Sequence, residues 1–134
     1  MLAADSIATA CGGIDGEVIK IGRVNSILYG AAGRCCIAEK FKDWVRGGLV
    51  GESPLKDETD PQSNGLIIMP DGLILCWTDQ GPARFRAKSY ALGSGYQYAM
   101  GAMEMGATAE EAVLVASLYD VGTGGKIISV RHES

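Results

Sequence analysis

Between an amphipathic helix and a short apolar strand this chain reads Asp120-Val121-Gly122-Thr123-Gly124-Gly125. A carboxylate, a hydroxyl three residues later and a run of glycines restrict what can be built there. Glycine admits positive φ and close backbone approach, so such a junction lets groups from separate elements converge on one point. A helix end and a turn read the same way, and the segment alone leaves both open. A second junction, Gly93-Ser94-Gly95, also sets a hydroxyl between glycines where a strand passes into a helix. A third feature, Glu17-Val18-Ile19-Lys20-Ile21, embeds one lysine in an apolar strand. The chain holds 19 glycines, roughly twice the usual share, and they cluster at strand ends and turns.

Hydrophobic spacing orders the rest. Residues 2–8 read as a short strand and 17–22 as a second, largely buried one. Asn25-Ser26 turns the chain into a strand at 27–31, continued by the small residues Ala32-Gly33. Ile37, Ala38, Phe41, Trp44 and Val45 predict a helix over 34–46, stopped by Gly47-Gly48. Residues 49–64, polar and carrying Pro54 and Pro61, read as a mobile loop facing a partner or a pore. Leu66–Met69 and Leu73–Trp77 flank Pro70-Asp71-Gly72, which is a hairpin signal. A further strand or two is expected from Phe85 to Ala91. A helix follows over 96–105 with Tyr96, Ala99, Met100 and Met103 on one face. Thr108-Ala109-Glu110-Glu111 is a capping box opening a helix to Tyr119. Ala112, Val113, Val115, Ala116 and Tyr119 form its buried stripe, and Met100, Met103 and Met105 read as core filler. This order suits an α+β domain with two sheets between helix layers, and equally a plain two-layer α+β domain.

Composition narrows the class. At 134 residues with 47% hydrophobic content, the chain is expected to be one globular domain over 1–134. A net charge of −4 argues against nucleic acid as a partner. Arg84, Arg86 and Lys88 are the one local basic group and read as a solvated strand face. Cys11, Cys35, Cys36 and Cys76 contain no C-x-x-C spacing, so they read as buried apolar residues in a reducing cytoplasm, with no metal or cofactor expected. No signal peptide or apolar run of membrane-spanning length is visible, so no membrane partner is expected. His132, the only histidine, lies in a polar tail and is no anchor for a Ser–His–Asp triad.

In their order, the quoted segments resemble the proteasome-type N-terminal-nucleophile hydrolases, and most closely the bacterial HslV-like branch, along nearly the whole chain. The resemblance implies a four-layer αββα sandwich. It makes Leu2-Ala3-Ala4-Asp5-Ser6 the family's second strand, ending in its acid, Asp5. Lys20 takes the place of the lysine that tunes the nucleophile, expected to pair with Asp5. Gly30-Ala31-Ala32-Gly33 resembles the turn whose first glycine amide forms the oxyanion hole, here Gly30. Gly93-Ser94-Gly95 resembles the serine loop, and Asp120 with Thr123 the acid and hydroxyl that support the terminal amine. The family's nucleophile is a threonine at the mature N-terminus, on a strand ahead of the one at Leu2–Ser6. The chain is therefore expected to be N-terminally truncated, to lack the nucleophile and to be inactive as written.

Chemistry gives each group a task. A hydroxyl is a weak nucleophile at neutral pH and needs a base within reach. An α-amine, with an ordinary pKa of ~7.7–8.0, suits that role. A lysine nearby lowers the amine's pKa through like charge, and acids hold the lysine in place. Three functions remain open: a threonine-type peptidase subunit whose start lies upstream, a nucleophile-free relative serving as structural or ligand-binding shell, and a small α+β domain whose glycine turns form an anion nest. The first implies a homo-oligomer of rings or stacked rings, peptide or unfolded protein as substrate, and an ATP-dependent unfoldase as partner.

Overall fold

The structure is a computed structural model and describes residues 2–4, 7–8, 16–17, 20–33, 35–56, 63–120, 123 and 127–131. Five antiparallel strands form the main sheet in simple up-and-down order: β4 (Ile21–Val24), β5 (Ile27–Ala32), β6 (Asn64–Ile68), β7 (Ile74–Thr78) and β8 (Gly81–Phe85). Short turns join all but one neighbouring pair, as antiparallel ladders allow. Two smaller ladders pair β1 (Leu2–Ala4) with β9 (Ile128–Val130) and β2 (Ile7–Ala8) with β3 (Gly16–Glu17). The stretches expected as single strands over 2–8 and 17–22 are therefore each divided between two ladders.

Strand register assigns side chains to two faces, because residues opposite each other in a ladder point the same way. Tyr29 pairs with Ile67 and Ile67 with Leu75, and this face is covered by α1 (Cys35–Arg46). Phe41, Val45 and Leu55 complete a closed core there with Tyr29 and Ile67. The Phe41 ring fills the space above Gly65, where an added Cβ would lie 2.2 Å from Cζ. Trp44 meets Trp77 edge-on at 4.9 Å, a favourable aromatic arrangement. Tyr29, buried in the same core, accepts a hydrogen bond at its hydroxyl from Arg46 Nη1 at 2.9 Å. That bond, and the pairing of Arg46 with Asp43, hold the guanidinium pKa above its usual range.

The opposite face carries Ile21, Leu28, Leu66, Ile68, Ile74 and Cys76, alternating with the first set along each strand. β9 lies over this side at β4, and Arg23 Nη1 donates to the Arg131 carbonyl at 3.1 Å. Beyond it pack α2 (Tyr96–Glu104) and α3 (Ala109–Tyr119), with α3 resting on β1. The result is helix, sheet, sheet, helix pair.

The local signals explain most elements. Thr108 accepts from the Glu111 amide at 3.1 Å, and Glu111 accepts from the Thr108 amide at 2.9 Å. This capping box starts α3 where its sequence requires. At the β6–β7 hairpin, Gly72 takes φ +90° and Leu73 N–H bonds Asp71 Oδ1 at 3.0 Å.

Four expectations need correction. The segment expected as a mobile loop over 49–64 is anchored where it is described: Leu55 is 1% exposed, and Trp44 Nε1 bonds the Val50 carbonyl at 3.1 Å. The last strand of the main sheet is Gly81–Phe85, with residues 86–91 outside any strand. Gly81-Pro82 reads as a turn, but an edge strand tolerates a residue without an N–H. Met105, Tyr96 and Tyr119 are 88%, 48% and 68% exposed, so the helix-pair core is Ala99, Ala112 and Ala116 with half-buried Met103. Cys36 is exposed while Cys76 is buried. No helix is long and apolar enough to cross a membrane among the described residues.

Candidate active site

The antiparallel α2–α3 hairpin brings the start of one helix beside the end of the other. Ser94 precedes α2, and Asp120 is the residue that closes α3. Asp120 leaves the helix in an extended conformation, φ −103° and ψ 123°, which carries its side chain off the helix axis. Its Oδ2 accepts a hydrogen bond from Ser94 Oγ at 2.6 Å and another from Thr123 Oγ1 at 2.7 Å. The Thr123 amide bonds the Asp120 carbonyl at 3.2 Å, fixing that turn. A carboxylate at a helix C-terminus sits at the unfavourable end of the macrodipole. Two hydroxyl donors on one oxygen offset that placement, since hydrogen bonds to a charged acceptor are stronger than neutral ones.

Gly95 is what permits the convergence. It is buried, and a Cβ there would stand 2.8 Å from Thr123 Oγ1 and 3.1 Å from the Ala116 methyl. The glycine-flanked serine of the sequence is therefore a packing requirement: the backbone entering α2 must approach the Asp120–Thr123 turn closely. Helical spacing places Ala116 on the buried stripe of α3, and the fold sets its contact with Gly95.

The corner opens into a cavity of about 720 Å³ between the main sheet and the helix pair. Lys20, Gly30, Ser94 and Thr123 all line it, so four of the six residues singled out from the sequence share one space. Asp120 joins them through its two hydrogen bonds. Asp5 lies outside the described residues, and so does its expected pairing with Lys20. Lys20 is half-buried, adjoins β4, and gives its carbonyl to the Ala31 amide at 3.2 Å. Gly30 is not at a turn: it is buried inside β5, opposite Ile21 and Leu66. The chain leaves the strand at Gly33, whose φ of +100° is the left-handed step before α1.

Farther along the wall, Tyr90 donates its hydroxyl to Cys76 Sγ at 3.7 Å and packs edge-on against Phe85 at 4.9 Å. Burial, then the contact with Cys76, raises the phenol's pKa and keeps it a donor.

No protein-family model and no curated protein matches the chain. Among solved structures it is similar to Thiobacillus denitrificans BPH in complex with epoxomicin. The identity is 24% and the TM-score 0.65, over 94% of this chain and 88% of that one. It is also similar to Anbu from Hyphomicrobium sp. strain MC1, at 15% identity and a TM-score of 0.46, over 93% of this chain and 73% of that one. The expected placement nearest to HslV-like subunits is corrected by these findings: a likeness to BPH at 24% identity carries the fold and no branch of a family. By that likeness, the chain has the four-layer α+β sandwich of the proteasome-like N-terminal-nucleophile hydrolases.

Proposed function

We propose that the Ser94–Asp120–Thr123 corner holds the α-amine of an N-terminal nucleophile, and that the domain serves threonine-type hydrolysis of peptide bonds. The observation that carries this reading is the shared acceptor. Both hydroxyl protons go to Asp120 Oδ2, so the Ser94 and Thr123 oxygens keep their lone pairs for a donor. An ammonium group beside them completes the network.

The chemistry then runs in order. The neutral amine takes the proton of the neighbouring hydroxyl, whose oxygen attacks the substrate carbonyl carbon. The proton passes to the leaving nitrogen as the C–N bond breaks, and an acyl ester forms. Water, activated by the same amine, releases the acid and restores the hydroxyl. Lys20, on the same wall, favours the neutral amine through like charge.

The test uses two forms of the protein: the chain as it stands, and the chain preceded by a threonine-initiated strand exposed by processing. The second is expected to cleave fluorogenic peptides, to lose turnover about a hundredfold or more in Asp120→Asn, and to be blocked by epoxomicin. Turnover in the first form that survives Asp120→Asn would overturn the assignment.

A second reading, a nucleophile-free subunit of a homo-oligomeric shell, has its own support. Tyr98, Leu114, Leu118 and Tyr119 are 44–69% exposed on the α2–α3 pair, with Tyr98 and Tyr119 stacked at 5.7 Å. Exposed apolar side chains clustered in this way mark association surfaces. Self-association lost in Leu118→Glu by light scattering, with no peptidase activity in either form, would favour this reading over the first.

A further inference from the structure

The cavity wall has a charge pattern opposite to that of the chain. The sequence carries 12 lysines and arginines against 16 acids. Yet the charged residues lining the cavity are Lys20 and Lys88, and the one carboxylate described at its corner, Asp120, stands behind Ser94 and Thr123, whose hydroxyls it accepts. Lys20 is half-buried and has an interaction of its own. Lys88 is exposed, in the segment that leaves β8. The carboxylate flanking this rim is already committed: Asp71, whose neighbour Gly72 lines the cavity, pairs with Arg86 Nη2 at 2.9 Å. Arg86 also donates to the Asp71 carbonyl at 2.8 Å. Of the basic group at 84–88, Lys88 is the member that faces the cavity.

Inward from Lys88 the wall is apolar: Ile68, Ala91, Leu92, Met103 and Ala112. The alanines at 91 and 112 leave room there for the side chains of a ligand. Only six residue steps separate Lys88 from Ser94, a span of at most about 20 Å, which is the reach of a short peptide. Apolar burial supplies affinity in such a site, while a single charge fixes direction.

The geometry points to a substrate class: a short apolar peptide whose carboxylate is held at the rim by Lys88 while a carbonyl along its length reaches the Ser94–Asp120–Thr123 corner. The second half rests on the amide-hydrolysis reading; the binding half stands without it. Lys88 is thus a specificity-determining residue, selecting ligands by charge at one end and by small apolar side chains between.

Binding tests this independently of turnover. The probes are N-acetyl-Ala-Ala-Leu with a free C-terminal carboxylate and the same peptide amidated, titrated into the 134-residue chain with amide chemical shifts as readout. The free acid is expected to bind about fivefold more tightly at low ionic strength, with the difference shrinking in concentrated salt. Lys88→Ala should equalise the two peptides, and Lys88→Glu should reverse their order. Shift changes should fall on Ala91, Leu92 and Ala112. Equal affinity in the unmodified protein, no saturable binding, or a preference that survives Lys88→Glu would each overturn the proposal. None of these outcomes bears on peptide hydrolysis. Conversely, an inactive threonine-bearing form that keeps the charge preference would break the hydrolase reading and leave the ligand class standing.

Discussion

The two faces of the five-stranded sheet are built from similar apolar strands, yet they are finished in different ways. Against α1 the space is closed by large side chains: Phe41, Leu55 and Ile67 are at most 1% exposed. Against α2 and α3 the buried residues of the helix pair are alanines, 99, 112 and 116, and the same side retains the cavity. Close packing on one side supplies stability. On the other, small residues give up part of that gain and leave a volume lined by potential reactive groups. A domain of this size can keep such a volume because its opposite face is so well filled.

The largest expected difference follows from deleting matched groups on the two sides. Phe41→Ala should destabilise by about 3–5 kcal/mol, while Met103→Ala, on the cavity wall, should cost about 1 kcal/mol or less because its site is already open. Denaturant midpoints at constant slope measure both. Equal costs would break the comparison.

Adding atoms sharpens it further. Gly65→Ala forces a methyl into the Phe41 ring and should cost about 1–3 kcal/mol, partly recovered in the double variant with Phe41→Leu. The recovery distinguishes a clash from a loss of backbone freedom. A smaller effect is expected at the candidate site: Asp120→Asn removes a charged acceptor from two hydroxyls and should change stability by about 1 kcal/mol. A loss as large as that of Phe41→Ala would mean the corner is structural.

The smallest effect should treat both sides alike. Asp71 is held below the ordinary carboxylate range by the Arg86 guanidinium, then by the Leu73 amide. Glu111 is held low by the Thr108 amide. A lowered folded pKa stabilises the charged form, so both contributions are complete above about pH 5 and fade as pH falls below about 4. Amide shifts of Leu73 and Thr108 followed from pH 6 to 3 should lose their hydrogen-bonded positions together. No change in either would remove the carboxylates from the account.

Elements whose cause is local were legible in the chain: the α1 spacing, the Asp71-Gly72 hairpin and the Thr108–Glu111 box each act within a few residues. Leu55 was not, because an apolar residue among prolines and acids reveals its burial only once α1 and the sheet surround it. β8 was hidden by Gly81-Pro82, whose turn-like pair is acceptable only at an edge. For the site, Ser94 and Asp120 are 26 residues apart, and nothing in spacing or composition joins them; the order of motifs did. That same order suggested an HslV-like branch too readily. Glycine-flanked hydroxyls report how a scaffold turns, which is a property of the fold and not of one branch within it.

Pro82 lies in the strand that ends the main sheet, opposite Trp77, with its other side exposed. Lacking an N–H, it interrupts the row of donors that a free strand would otherwise offer to another chain. A second molecule cannot continue the ladder in register past this point. Under crowding this border is therefore a poor template for fibre growth, and a variant such as Pro82→Val would restore the missing donor and make the same border more adhesive.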